Sequence, residues 1–179
     1  MMLRRIIKGQ TEISYPDGKN KRLNKIFYKP EVFLFRDAAE AIRNADKIVI
    51  CPGELYGSIV PNLIVSGMAQ ALKESSAMKV YVCNLVTKEG NYEFKADDFV
   101  KEIEKYAGIS VDKIIINSKI PEEAVLKKYL DENSRIVEDN LGEDKRVIRG
   151  DFIEVYPQEN KTLIRHVPDK IAKEIIALR

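Results

Sequence analysis

The chain has 179 residues, 45% hydrophobic and 32% charged, which fits one globular domain with its own core. Its 30 basic and 28 acidic side chains form no clustered basic stripe, so the usual electrostatic footprint of a nucleic-acid-binding protein is excluded. No apolar run approaches the ~18 residues of a membrane span and no signal peptide is recognisable, which predicts a cytoplasmic protein without membrane insertion.

Short antiparallel strands are predicted at Arg4–Ile7 and Asn24–Tyr28, because the turn sequence Tyr15-Pro-Asp-Gly18 lies between them. Helices and strands alternate from residue 37 onward. In chain order the predicted elements are helix Asp37–Asn44, strand Lys47–Cys51, helix Ser58–Glu74, strand Lys79–Leu85, helix Ala96–Tyr106, strand Lys113–Asn117, a helix with Pro121 at its first position and ending at Leu130, strands Arg135–Val137, Arg146–Ile148, Phe152–Val155 and Thr162–Arg165, and helix Pro168–Leu178.

The central strands are apolar on both faces, as strands of a buried parallel sheet must be. Examples are Ile48–Ile50, Val80–Cys83 and Ile114–Ile116. Strands that alternate with helices of this length indicate βαβ units. We therefore predict a single α/β domain over residues 1–179, with a Rossmann-like, mostly parallel sheet, flanking helices and short antiparallel strands.

The first candidate site is the loop that follows strand Lys47–Cys51. Gly53 lets a ligand approach closely and can adopt a positive φ, and the backbone N–H groups of Tyr56, Gly57 and Ser58 could hold a phosphate or carboxylate. Tyr56 could stack on a base or sugar, and Asn62 could read a polar edge. The alternative is that Ser58 caps the helix while Tyr56 and Asn62 pack locally. Glu54 opposes anion binding unless it points to solvent or is bridged by a cation.

The second candidate site is the loop Asn84–Gly90, which follows the neighbouring strand and should open at the same edge of the sheet. Asn84 and Thr87 are candidate contacts to a ribose or phosphate, and turn stabilisation is the alternative role for both. Asp97 and Asp98 fall in the first turn of the next helix, where acidic side chains oppose the helix dipole, so we interpret them as capping residues and predict no metal site.

Nothing in the sequence predicts a catalytic residue. Cys51 and Cys83 lack the paired spacing of a zinc site and favour a buried structural role without a disulfide. His166 is the only histidine, and its position before Pro168 favours an exposed helix junction over general-base chemistry. Asn117, at the end of its strand, faces the same rim as the two loops in this prediction.

Two segments carry a family resemblance. Pro52-Gly-Glu-Leu-Tyr-Gly-Ser-Ile-Val-Pro-Asn-Leu-Ile-Val65 and Lys79-Val-Tyr-Val-Cys-Asn-Leu-Val-Thr-Lys-Glu-Gly90 resemble the CofD-like family, and the gluconeogenesis-factor (YvcK-type) branch more closely than the phospholactate transferase branch of coenzyme F420 synthesis. The resemblance implies a nucleotide-sugar ligand, such as a UDP-sugar, and no certain cofactor. The ligand-binding residues that it implies are Gly53, Leu55, Tyr56, Gly57, Ser58, Asn62, Asn84, Thr87 and Gly90.

Members of this family begin with a strand and a Gly-Gly-Gly-Thr-Gly loop, which this sequence lacks. The resemblance therefore implies a fold truncated at its amino terminus, whether by natural truncation, a split gene or fragmentation. The resemblance also implies a partner, which would be either a second copy of this chain in a homo-oligomer or a separate chain that carries the glycine loop.

Three functions follow. The first is a non-catalytic, UDP-sugar-binding regulator linked to carbon metabolism or cell-envelope morphogenesis and cell shape. The second is a phospholactate-transferase-like enzyme that uses Mg²⁺, and the third is a ligand-free interaction module that completes a partner chain.

Overall fold

A parallel sheet of four strands forms the centre of the molecule. The computed structural model describes residues 6–14, 23–158 and 162–179. The strands lie in the order of the sequence, and a separate antiparallel hairpin follows them. The parallel strands are β1 (Lys47–Ile50), β2 (Met78–Val82), β3 (Lys113–Asn117) and β4 (Val147–Gly150), and the hairpin consists of β5 (Ile153–Pro157) and β6 (Thr162–His166). The predicted fold class is confirmed.

Helices cover both faces of this sheet. They are α1 (Gln10–Ser14), α2 (Arg36–Arg43), α3 (Val60–Leu63), α4 (Met68–Glu74), α5 (Ala96–Ala107), α6 (Glu123–Asp131) and α7 (Pro168–Ala177). A π-helical turn, Leu55–Ile59, runs directly into α3, and a 3₁₀ turn spans Glu89–Asn91. Within the described ranges, none of these helices combines the length and apolarity that crossing a bilayer requires.

The two faces of the sheet carry different apolar clusters because neighbouring strand residues point to opposite sides. Tyr81 and Ile114 belong to the larger cluster, which α3, α4 and α5 complete through residues such as Leu63, Leu72 and Phe99. On the opposite face, Val80, Val82 and Ile115 pack with residues of α7. The sheet is therefore enclosed between two helical layers, and its loops are left at the ends of the strands.

The amino-terminal prediction is wrong where the structure describes it. Neither Ile6–Ile7 nor Asn24–Tyr28 forms a strand, while Gln10–Ser14 forms a helix. The Ile26 N–H donates to the Tyr106 hydroxyl at 3.1 Å, so the backbone here is paired with a side chain of α5 and not with another strand. The rest of the predicted strand Arg4–Ile7 and the turn Tyr15–Gly18 lie outside the described residues.

The predicted helix Ser58–Glu74 is interrupted. Gly67 adopts a φ of 95°, a left-handed conformation that no helix interior contains. The segment before it is held by two backbone hydrogen bonds, from the Leu34 N–H to the Ser66 oxygen and from the Ser66 N–H to the Val32 oxygen. Tertiary pairing therefore replaces helical hydrogen bonds at this point and divides the helix into α3 and α4.

Other boundaries also differ from the prediction, and β2 ends at Val82, before the predicted Leu85. Pro121 does not open α6, because Glu122 is still extended (φ −58°, ψ 147°) and the helix begins at Glu123. Residues 135–137 form no strand, and a single antiparallel bridge joins Ile136 to Val86. That bridge fastens the loop after β2 to a distant part of the chain.

Candidate functional site at the carboxyl ends of β1 and β2

The two loops predicted from the sequence meet at one edge of the sheet. The Asn84 side-chain amide donates to the Gly53 carbonyl at 2.5 Å, across 31 residues of sequence. The Tyr81 hydroxyl donates to the Asn84 side-chain oxygen at 3.0 Å and fixes the orientation of that amide. Asn84 thus joins the loop after β1 to the loop after β2.

Glu54 occupies the donors at the start of the first helical turn. Its carboxylate accepts hydrogen bonds from the backbone N–H groups of Tyr56 (3.3 Å) and Gly57, and its carbonyl accepts from the Ser58 N–H at 2.9 Å. These are the same three N–H groups that the sequence offers to a phosphate or carboxylate. The chain therefore satisfies them internally, and Glu54, not Ser58, caps the turn.

The aromatic and apolar residues of the first loop lie in the core. Leu55 and Tyr56 have exposed fractions of 0% and 1%. The Tyr56 ring packs edge-on against Phe94, with 6.4 Å between ring centroids, and its hydroxyl donates to Glu102 at 3.2 Å. Tyr56 therefore presents no free ring face on which a base could stack. This agrees with the alternative interpretation, in which Tyr56 packs locally.

The accessible part of the first loop is polar and small. Ser58 and Asn62 are exposed, and the Asn62 side-chain amide donates to the Ser58 carbonyl at 2.7 Å. Gly53 does not adopt a positive φ, and a Cβ there would lie 3.4 Å from Ile59 Cγ1. That distance is an ordinary van der Waals contact, so folding itself does not demand glycine at this position.

The second loop is fastened to residues 134–135. The Thr87 hydroxyl accepts from the Arg135 N–H at 3.0 Å, and the Thr87 carbonyl accepts from the Ser134 hydroxyl at 2.6 Å. Thr87 is only 1% exposed, so it anchors the loop and does not reach the surface. The guanidinium of Arg135 lies 4.0 Å from the centroid of the Tyr92 ring, beside the loop.

Helix α1 lies over both loops, which the sequence did not predict. The Gln10 side-chain amide donates to the Gly57 carbonyl at 3.0 Å. Gly90 is buried, and a Cβ there would lie 3.8 Å from the Ile13 carbonyl and 3.8 Å from the Tyr56 ring. Gly57 and Gly90 thus both lie against α1.

His166 is not the exposed junction that its sequence position suggests. Its Nε2 atom is buried and has no hydrogen-bond partner among the described residues. Burial lowers the pKa of His166 from 6.5 to about 4, partly opposed by a hydrogen bond to the backbone of Cys83. The imidazole is therefore neutral at pH 7 and lies against the residue that precedes Asn84.

The two cysteines differ in environment. Cys83 is buried, and its burial raises the thiol pKa to about 12, so it carries no nucleophilic thiolate at neutral pH. Cys51 is exposed, which contradicts the buried structural role predicted for it. Both thiols are free.

The remaining sequence candidates have structural roles. The Asn117 side-chain oxygen accepts from the Phe152 N–H at 3.1 Å and so links β3 to the hairpin. Asp98 accepts from the Lys95 N–H at 3.1 Å, which confirms a capping role. Asp97 pairs with Lys101 at 2.6 Å. Across residues 6–14, 23–158 and 162–179, no three His, Cys, Asp or Glu side chains converge in a group that could hold a metal ion.

A shallow cavity of about 320 Å³ lies elsewhere, between the start of α6 and β5. Its lining includes Lys119, Pro121, Glu122 and Val155 and contains no residue of either predicted loop. This cavity is therefore separate from the rim that the two loops form.

Comparison with known proteins identifies the family. The family model described as 2-phospho-L-lactate transferase CofD matches residues 1–155. The chain belongs to the CofD family. Its resemblance to the gluconeogenesis-factor branch is confirmed by the curated relatives, several of which carry that name.

The relatives extend along nearly all of this chain. A Thermotoga maritima protein is 38% identical over 93% of the chain and 54% of its own length, and the gluconeogenesis factor of Bacillus subtilis is 35% identical over 97% and 55%. A crystal structure of a Bacillus halodurans protein superposes with a TM-score of 0.84 at 32% identity, covering 96% of this chain and 55% of that one. The chain spans about half the length of the curated relatives it matches.

Proposed function

We propose that this chain is a non-catalytic, nucleotide-sugar-binding protein of the gluconeogenesis-factor type, and that a UDP-sugar binds at the rim formed by the loops after β1 and β2. The observation that carries the proposal is the hydrogen bond between Asn84 and Gly53, because it holds the two loops together at the carboxyl ends of parallel strands. Ligands of open α/β sheets bind at this edge.

The chemistry of the rim suits a neutral, hydroxyl-rich group better than a phosphate at the first loop. Glu54 already fills the N–H groups of Tyr56 and Gly57, whereas Ser58 and Asn62 are exposed beside it. Two cations lie at the second loop: Lys88 within it, which is exposed, and Arg135 beside it, whose guanidinium stacks on the Tyr92 ring. We assign the sugar to the first loop and the diphosphate to the side of Arg135.

A binding role without catalysis fits the titratable groups of the rim. The Cys83 thiol is protonated and the His166 imidazole is neutral at pH 7, with Nε2 buried, so neither is placed to attack or deprotonate a ligand. A regulator that senses a nucleotide sugar must bind it and change its own surface on binding. Neither step requires a nucleophile.

Calorimetry of this chain with UDP-N-acetylglucosamine and with UDP-glucose tests the proposal. We expect saturable heat from at least one of the two sugar nucleotides. Gly53→Ala should weaken binding by about tenfold, because a methyl group displaces the ligand, while the exposed Ser76→Ala at the opposite ends of the strands should not.

Two results would overturn the proposal. One is the absence of binding heat with both sugar nucleotides. The other is product formation from a deazaflavin acceptor, which would make the chain part of a transferase.

A further inference from the structure

A strand edge of the hairpin borders the cavity beside α6. Three consecutive residues of β5, Ile153, Glu154 and Val155, line this cavity together with the segment that precedes α6. Because successive side chains of a strand point to opposite faces, a lining by three residues in a row means that the backbone edge of β5 faces the cavity. Among the described residues, β5 pairs only with β6. The outer edge of β5 is therefore open to the cavity.

The hydrogen bonds of the hairpin show which backbone groups point outward. The Val167 N–H donates to the Phe152 carbonyl at 2.7 Å, so these two residues form a hydrogen-bonded pair. In antiparallel strands such pairs alternate with pairs whose backbone groups point away from the partner strand. Val155 lies opposite Ile164 in a pair of the second kind, and the Ile164 N–H accordingly donates to the Tyr129 hydroxyl at 2.8 Å. The Val155 N–H and C=O thus point away from β6.

The two outer edges of the hairpin differ. On β6, the Tyr129 hydroxyl of α6 occupies an outward N–H group. On β5, the Asp151 carboxylate engages the Ile153 N–H, but no described residue bonds to the Val155 N–H or C=O. Pro157, at the next outward position, has no N–H and ends this edge, as proline does on edge strands. The free edge therefore suits a segment of about three residues.

The cavity accepts single side chains. Its volume of about 320 Å³ is at the lower limit of sites that hold drug-sized molecules. The Ile120 side chain in its lining is 78% exposed, and Val125 and Val155 are partly exposed. A segment that pairs with β5 would place every second side chain on the face of the hairpin that packs on α6. Apolar side chains of moderate size are therefore favoured at those positions.

Two carboxylates at the cavity have no cation beside them. Glu122 is the N-cap residue of α6, yet its side chain makes no capping hydrogen bond and no ion pair with a described residue. Glu154 accepts from the Tyr156 hydroxyl at 2.8 Å but forms no ion pair in the described part of the chain, not even with Arg165 opposite it on β6. Lys119, also in the lining, is already held in an ion pair at 3.2 Å. Charge complementarity therefore favours a cationic occupant over a phosphate.

We propose that the outer edge of β5 and the cavity beside it bind an extended segment of a partner protein in which lysine or arginine alternates with apolar residues. The segment adds a third strand to the hairpin. In this mode of recognition the main-chain hydrogen bonds supply affinity and the side-chain pockets supply specificity. The site is independent of the proposed nucleotide-sugar rim, because its lining contains no residue of either loop.

Charge argues against a second copy of this chain as the occupant. A two-fold axis that pairs β5 with β5 would bring the Glu154 side chains of both copies next to each other, either directly or diagonally. The Glu122 carboxylates would add to the same concentration of negative charge. Like charges across strands are destabilising, whereas a cationic segment removes the conflict.

Two synthetic peptides with blocked ends test the inference. One has the sequence Thr-Val-Arg-Val-Arg-Val-Thr, which places valine on one face of a strand and arginine on the other, and the second replaces both arginines by glutamate. Each is titrated into the full chain and followed by amide NMR. We expect saturable shift changes at Val155 and Ile120 with the arginine peptide, with a Kd of about 1 mM or lower, and binding at least about tenfold weaker with the glutamate peptide.

Charge variants test the two carboxylates. The double substitution Glu122→Gln and Glu154→Gln changes exposed side chains, so the fold should survive, and we expect it to weaken the arginine peptide by at least about fivefold. The matched control, Glu123→Gln with Glu132→Gln, changes the net charge equally at exposed positions of α6 and its end that lie outside the cavity lining. It should leave the affinity within about twofold of the wild type.

A proline substitution tests the strand edge. Val155→Pro removes the outward N–H and should weaken the arginine peptide by at least about fivefold, while Val155→Thr retains the N–H and should bind as the wild type does. Because this N–H points away from β6, the hairpin should tolerate proline as it tolerates Pro157. The amide spectra of the free variants report whether the hairpin is retained, and the charge variants provide the test if it is lost.

Three results would overturn the inference. The first is the absence of saturable shift changes with the arginine peptide, and the second is equal affinity for the arginine and glutamate peptides. The third is a homodimer of this chain, detected by light scattering, that slows hydrogen exchange at Val155 and that the arginine peptide does not dissociate.

Discussion

The loops after β1 and β2 meet at one rim but are stabilised by different means. In the first loop, the carboxylate of Glu54 satisfies N–H groups only two and three residues further along the chain. In the second loop, Thr87 is buried and bound to Arg135, 48 residues away. The first loop is thus stabilised by contacts within a few residues, whereas the second depends on contacts with a distant part of the chain. Substitutions in the second loop should therefore lower the free energy of unfolding by more.

The largest expected effect is a loss of stability at low pH. It arises from His166, which lies beside the start of the second loop. Burial holds the pKa of His166 at about 4, below the 6.5 of the unfolded chain, so the unfolded state binds more protons between these values. Stability should therefore fall as the pH drops from 6.5 toward 4, by about 2 kcal/mol after allowing for partial exposure of the ring.

Urea unfolding at pH 7, 5.5 and 4.5 measures this loss. His166→Gln is the control, since a side chain that does not titrate should flatten the dependence in this range. An equal slope in the wild type and the variant would assign the acid sensitivity to other groups.

Thr87→Val should destabilise the chain by about 1–2 kcal/mol, because it leaves the Arg135 N–H without its acceptor at a buried position of nearly unchanged volume. Thr87→Ser retains the hydroxyl and should recover most of the loss. The measurement is the free energy of unfolding in urea. Equal stability of the valine and serine variants would show that the hydroxyl does not anchor the loop.

Glu54→Ala should cost about 1 kcal/mol, because it removes the acceptor of the Tyr56 and Gly57 N–H groups at the start of a helical turn. Glu54→Gln retains one acceptor oxygen and should lie between the alanine variant and the wild type. Thermal unfolding orders the three proteins. If both variants are as stable as the wild type, the carboxylate does not cap this turn in solution.

Gly53→Ala should change stability by less than about 0.5 kcal/mol, since its Cβ would meet only ordinary contacts. Gly67→Ala is the matched control at a φ of 95°, where a side chain is strained, and it should cost about 1 kcal/mol. Both are read from the same denaturant titration. A loss at Gly53 as large as that at Gly67 would mean that folding, and not ligand approach, requires this glycine.

Sequence patterns predict those parts of the fold that depend on local composition. The predicted strand Lys113–Asn117 matches β3 to the residue, because a short run of β-branched residues in a chain of alternating strands and helices favours a buried strand. The break at Gly67 was not predictable, since it requires hydrogen bonds from Val32–Leu34, a segment whose position depends on the folded chain.

The candidate site is likewise predictable only where it depends on local sequence patterns. The meeting of the two loops follows from strand order, and Asn84 was found because it ends a strand at the edge where ligands bind. The sequence interpretation sets the charge of Glu54 against a ligand phosphate, whereas in the structure its carboxylate accepts from the N–H groups of Tyr56 and Gly57. The burial of Tyr56 and Thr87 depends on α5 and on residues 134–135, which no local pattern specifies.

Amide NMR spectra of this chain, recorded during titration with UDP-N-acetylglucosamine, test the central claim most directly. We predict that the largest shift changes occur at Gly53, Glu54 and Asn84, with smaller ones at Arg135. Saturable changes confined to residues 119–125 and 153–155, which line the cavity beside α6, would contradict the account, and so would spectra that do not change during the titration.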